Sequence, residues 1–152
     1  LSRPFSEVET YAGRLATAVK ENPGAARPQW MVLRRACIYE SESQSDIPVE
    51  ASVDYGRRFE NMFGTDGTVT NGFPRLIPFD EVRDGKNYEP SVIREAMLFG
   101  TPKQAIERLG NYADLGVDIF IYGTNFGLEP AFERRSLELF IEHVMPQFSV
   151  NR

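Results

Sequence analysis

The sequence predicts an α/β fold built from parallel strand–helix units, and two observations carry that reading. Helical stripes alternate along the chain with short runs of β-branched and aromatic residues, an order that specifies parallel βα units rather than hairpins. The 152 residues are 41% apolar, enough for one core but short for two domains. The whole chain, residues 1–152, is therefore expected to belong to one domain.

The elements follow in order. Phe5, Val8, Ala12, Leu15 and Val19 fall at helical spacing, and Ser6 with Glu9 fits a capping box, predicting a helix over residues 6–20. Asn22, Pro23 and Gly24 stop it. Residues 29–39 are too apolar and too rich in branched and aromatic side chains for a loop, and read as a buried strand. A serine-rich acidic loop leads to Pro48 in the first turn of a second helix carrying Val49, Val53, Phe59 and Phe63.

Residues 64–89 break the rhythm, with four glycines, Pro74 and Pro78 and no sustained period. At about 26 residues the stretch exceeds an ordinary connection and reads as an irregular insert or lid. Beyond it come a short helix over residues 90–96 and a brief strand over 97–99. Thr101, Pro102 and Gln104 then open a capped helix with Ile106, Leu109 and Ala113 on one face, stopped by Gly116. A third strand over residues 117–122 precedes the loop from Gly123 to Gly127 and a last helix from Pro130 to Pro146. Three parallel strands leave two unpaired edges, which soluble proteins rarely leave bare. A (β/α)8 barrel takes ~250 residues, so the strands present need partners from elsewhere. The chain also begins at Leu1, and a piece of a longer protein is expected.

Composition narrows function. A formal net charge of −5 argues against a nucleic-acid binder. No apolar run approaches a membrane span of ~18 residues and no signal peptide stands at the start, so a cytoplasmic location is expected. The single cysteine, Cys37, has no partner within the chain, no Cys/His cluster suggests a metal, and neither GxGxxG nor a P-loop is present.

The last third carries a resemblance. Residues 99–109 (FGTPKQAIERL), 115–121 (LGVDIFI) and 133–148 (ERRSLELFIEHVMPQF) resemble the C-terminal end of bacterial luciferase-like, flavin-dependent monooxygenases. That family shows a GTP or GSP helix start, a GVD turn into the last barrel strand and a final helix ending in VMPxF. Upstream, Ile38-Tyr39-Glu40-Ser41 is similar to a family strand ending in VAET. The resemblance implies the C-terminal part of a (β/α)8 TIM barrel, about three parallel βα units plus the long insert. It implies reduced FMN as cofactor, often supplied by a separate reductase, with deazaflavin the alternative, oxygen as co-substrate and a small organic substrate. Most flavin contacts would come from the missing N-terminal part of the barrel, so this part alone is expected to be inactive. Homo-oligomerisation is expected, and the competing reading is a stand-alone, non-catalytic half-barrel that dimerises to cover its edges.

Candidate residues follow. Arg34 and Arg35 are strand neighbours and must face opposite sides, which brings one of them to the interior. The resemblance implies Arg35 as the catalytic candidate, its guanidinium stabilising negative charge on a reduced flavin or clamping an anionic substrate. Thr124, Asn125 and Phe126, after the last strand, would line the flavin pocket, the first two by hydrogen bonds and the third by stacking. Against this stands a plain turn with Asn125 in left-handed geometry. Arg75 and Arg83, with Lys86, place cations on the insert for closure over an anionic substrate. The helix start at Gly100-Thr101-Pro102 reads as a cap, and His143 as a helix-end cation.

Overall fold

The centre of the molecule is an eight-residue strand bonded on both edges. The structure is a computed structural model and describes residues 4–63, 68–75, 77–83, 85 and 88–148, with the side chains of residues 60, 61, 63, 82 and 83 outside that description. Helix α1 (Phe5–Glu21) leads to β1 (Met31–Ile38) and, after one 3-10 turn, to α2 (Asp46–Phe63). The insert holds β2 (Val69–Thr70), β3 (Phe73–Pro74) and α3 (Phe79–Arg83). Then follow α4 (Pro90–Ala96), β4 (Leu98–Gly100), α5 (Pro102–Asp114), β5 (Ile119–Gly123) and α6 (Pro130–Leu139).

The three-stranded sheet is parallel throughout, in the order β4-β1-β5. This amends the expectation of successive units, because neighbours in a (β/α)8 barrel follow one another in sequence whereas β5 skips β4 to reach β1. The reason is local. Gly100 and the helix start at Thr101-Pro102 end β4 after three residues, so it pairs only with Ala36–Ile38, while β5 pairs with Met31–Arg35. The two partners hold different stretches of β1. The arrangement is compatible with part of a barrel in which β1 and β5 are the adjacent long strands.

The period of two sorts β1 between two cores. Val32, Ala36 and Ile38 join Val8, Leu98, Leu109, Tyr112, Leu139 and Val144 beneath α1, α5 and α6. On the other face Cys37 and Tyr39 join Val49, Val53, Ile93, Met97, Phe99 and Phe126 beneath α2 and α4. Burial pushes the Cys37 thiol up to about 11, as befits a small core residue. The first half of that second face is bare. Met31 is 57% and Leu33 38% exposed, and their direct cross-strand neighbours Ile119 and Ile121 are 38% and 41% exposed.

Two polar ties fix the sheet. Ser136 on α6 accepts the Ile38 N–H through Oγ at 2.7 Å and pairs with the Tyr122 hydroxyl at 2.7 Å, locking α6 across β1 and β5. At the opposite end Asp118 Oδ2 accepts from Trp30 N at 2.8 Å and from Arg27 at 2.7 Å, while Arg27 also donates to the Gly116 carbonyl at 2.6 Å.

Local expectations fared unevenly. The Thr101/Gln104 capping box is present. The Ser6/Glu9 box is not: α1 begins at Phe5 behind Pro4 with no side-chain cap. Phe5 sets that start by packing edge-on against Tyr112, ring centroids 5.2 Å apart. The last helix does not run evenly to Pro146 but passes through a wide π turn (Phe140–Val144) and a 3-10 turn (Met145–Gln147). Within the insert, Asn71 and Gly72 take φ of 52° and 82°, the two-residue turn that joins β2 to β3.

Ser136→Ala leaves the buried Ile38 N–H without its acceptor and is expected to lower stability by about 1–3 kcal/mol, read from denaturant unfolding. The Trp30 N–H and the Arg27 guanidinium hold the Asp118 carboxyl below its usual range, so its contribution is complete above the unfolded-state value of about 4 and is lost as pH falls through the lower folded value. Comparing wild type with Asp118→Asn across that acid window is expected to show the acid loss only in the wild type.

Candidate functional site

Alternation puts Arg34 and Arg35 on opposite sides of β1, and their surroundings differ accordingly. Arg34 goes under the helices, where Nε donates to the Tyr112 hydroxyl at 3.2 Å and Nη1 to the Leu33 carbonyl at 2.9 Å. It is a satisfied core residue. Arg35 lies on the other face, half-buried, with its guanidinium 4.2 Å from the centroid of the Tyr55 ring. Among the described residues it has neither a carboxylate partner nor a hydrogen-bond acceptor. Burial lowers its pKa, opposed by the phenols of Tyr55 and Tyr88. A desolvated cation without a counter-ion is an unfavourable arrangement that an incoming anion would relieve.

Helix α2 supplies Tyr55. Its start is held by Arg94, which bonds the Asp46 carboxylate and donates to the Ser45 carbonyl at 2.9 Å. Farther along, Arg58 pairs with Asp54 at 2.8 Å, and the Tyr55 and Phe59 rings stack with centroids 6.2 Å apart. Tyr88 arrives from the end of the insert and lies so close to α2 that a Cβ on Gly56 would fall 2.0 Å from its ring. Neither tyrosine is a candidate site residue in the sequence, although Tyr88 is one of the aromatics embedded in the insert, which favour a loop packed on something. Tyr55 carries a readable signal in its one-turn spacing from Phe59, whereas nothing local shows what Tyr88 packs against.

Across the sheet Arg35 pairs in register with Gly123, where β5 gives way to the loop. A Cβ there would sit 2.9 Å from the Arg34 carbonyl oxygen and 3.4 Å from Leu33 Cδ1, so the absent side chain permits the close strand contact. In the loop, Thr124 is half-buried and Asn125 exposed. Phe126 departs from its expected stacking role. It is wholly buried and stacks on Phe99 at 5.5 Å, because its ring completes the second core and thereby anchors the loop. The left-handed geometry falls on Gly127, with φ of 88°, and not on Asn125. Glu129 caps α6 by accepting from Ala131 N at 2.9 Å, a cap the sequence reading missed.

No described contact joins the remaining candidates to Arg35. Arg75 is exposed just after β3, with its backbone N–H bonded to the Thr68 carbonyl at 2.9 Å. Arg83 closes α3, and its side chain and Lys86 lie outside the described residues. The helix start at Thr101 spends its N–H on Gln104 at 2.8 Å, as a cap does. His143 is exposed, 3.8 Å from Glu142. A cavity of about 360 Å³ opens on the helix-covered side, lined by Leu109, Tyr112, Val117, Phe120, Phe140 and Met145, across the sheet from Arg35.

Comparison with known proteins bears on this geometry. No family model matches the chain, and no solved structure matches it. Over 146 residues, 96% of the chain, it is 25% identical to the oxygenase component of the flavin-dependent trigonelline monooxygenase of Acinetobacter baylyi. That relative is a flavin-dependent oxygenase. The chain spans 41% of its length. Among the described residues no helix is long and apolar enough to cross a membrane.

Gly123→Ala puts its Cβ against strand backbone rather than a movable side chain. A loss of about 1–3 kcal/mol is expected, with β1–β5 amides showing faster hydrogen exchange.

Proposed function

We propose that this chain is part of a flavin-dependent monooxygenase of the luciferase-like kind, in which β1 and β5 are neighbouring strands of a (β/α)8 barrel. The observation that carries the reading is similarity to an oxygenase component along 96% of the chain. The bare patch of Met31, Leu33, Ile119 and Ile121 supports it, since the inward side of a barrel arc is apolar and is covered by other strands of the cylinder. A second copy covering the patch is the competing arrangement.

The cofactor in this reading is FMN, reduced by a separate reductase. Among the described residues Arg35 has no acceptor, which leaves its N–H donors open to the negative charge of a flavin or of an anionic substrate. Thr124 and Asn125 would hold polar edges of the flavin, with Phe126 securing their loop from the core. When bound, the flavin supplies electrons for activating oxygen and delivering one atom to the substrate. Arg35 offers fixed N–H donors to negative charge in a partly dry setting, where such bonds count for more than in water. The insert, with Arg75 and Arg83, would screen the site from water.

The test is substrate-dependent oxygen consumption by the full protein containing this chain, supplied with FMN and a reducing system. Arg35→Gln is expected to cut turnover about a hundredfold with the fold retained. No flavin-dependent consumption with any flavin or deazaflavin overturns the reading.

A further inference from the structure

Arg35 is bounded in a way that specifies the shape and charge of what it receives. Its guanidinium carbon lies over the Tyr55 ring, 4.2 Å from the centroid, so the ring closes that side to a ligand. The planar fork of a guanidinium can grip two oxygens side by side from a side left open. The Tyr55 ring is braced in turn by Phe59, nearly parallel at 17°.

The other described boundaries are aromatic or apolar. Tyr88 rests against the backbone of Gly56, one residue beyond Tyr55, and its phenol is within electrostatic reach of Arg35. Leu33, two residues back along the same strand face, and Ile121 beside it continue the surface, while Gly123 contributes no side chain. The described groups acting electrostatically on Arg35 are two phenols, with no second cation among them. A dianionic phosphate ordinarily gathers several donors. One fork amid rings and aliphatic side chains suits a single negative charge on a flat, apolar body.

We propose that Arg35, framed by Tyr55 and Tyr88, is the carboxylate-binding subsite for an aromatic carboxylic acid substrate. The inference rests on the oxygenase reading and deepens it: the arginine orients the substrate by its carboxylate, and the tyrosines flank the ring. Tyr88 is a positioning residue, set in place by the absence of a side chain at Gly56.

The experiment is equilibrium binding to the full protein, without turnover, using benzoate as the carboxylate probe, benzamide as its neutral counterpart and inorganic phosphate as competitor. Benzoate is expected to bind at least tenfold tighter than benzamide, and Arg35→Gln to erase that preference with the unfolding midpoint retained. Gly56→Ala, which displaces Tyr88, is expected to weaken benzoate severalfold. Equal binding of benzoate and benzamide, absence of benzoate binding, or a preference that survives Arg35→Gln overturns the proposal. Displacement of benzoate by millimolar phosphate overturns it in favour of a phosphate site. Because the readout needs no flavin, a protein that discriminates the probes yet never consumes oxygen keeps the subsite and loses the oxygenase reading. The reverse result does the opposite.

Discussion

The pairing of β1 on both edges is the constraint from which the other features follow. Its first five residues are bonded to β5 and its last three to β4, so neither partner supports the whole strand. Where the β5 pairing ends, Ser136 reaches in from α6 and accepts the Ile38 N–H, and the Tyr39 N–H continues to the Gly100 carbonyl at 3.0 Å. A buried backbone donor is costly to leave unmet, and here strand and helix share the task. With β1 fixed this way, one of its faces becomes the floor of a helical core and the other the floor of the candidate site.

Much of this was legible in the sequence because it is written locally. The strand at residues 31–38, the capped helix after Thr101 and the helix opened by Pro130 each carry their own signals in period, cap and proline placement. The opposed orientation of Arg34 and Arg35 likewise follows from alternation alone. What sequence could not reveal is decided at a distance. The short reach of β4, which pairs only with Ala36–Ile38, and the order β4-β1-β5 are set between distant elements, and the start of α1 depends on Phe5 meeting Tyr112.

The site was legible by half for the same reason. Parity separates Arg34 from Arg35, and the resemblance, not the alternation, singles out Arg35 as the candidate. Tyr55 and Tyr88 converge on it only through the packing of α2 and the insert, and Tyr88 owes its place to a glycine 32 positions earlier in the chain. Phe126 shows the converse. Its loop position suggested contact with a ligand, but a phenylalanine beside Phe99 gains more from the core, and the loop is steadied from below as a result. The short hairpin in the insert was readable from Asn71-Gly72 and went unread, because the surrounding prolines and glycines masked two-residue strands.

Two consecutive arginines make β1 unusually sensitive to even and odd. Sliding the strand by one position against its neighbours would exchange their faces, sending the solitary guanidinium under the helices and the one that Tyr112 now satisfies out toward the tyrosine pair. Net composition, length and helix content would be untouched, yet the charge would have changed sides. The unequal lengths of its two partners guard against that error, since a shifted strand would have to break two differently placed ladders at once. The placement of the two charges is thus protected by an asymmetry of the sheet's edges.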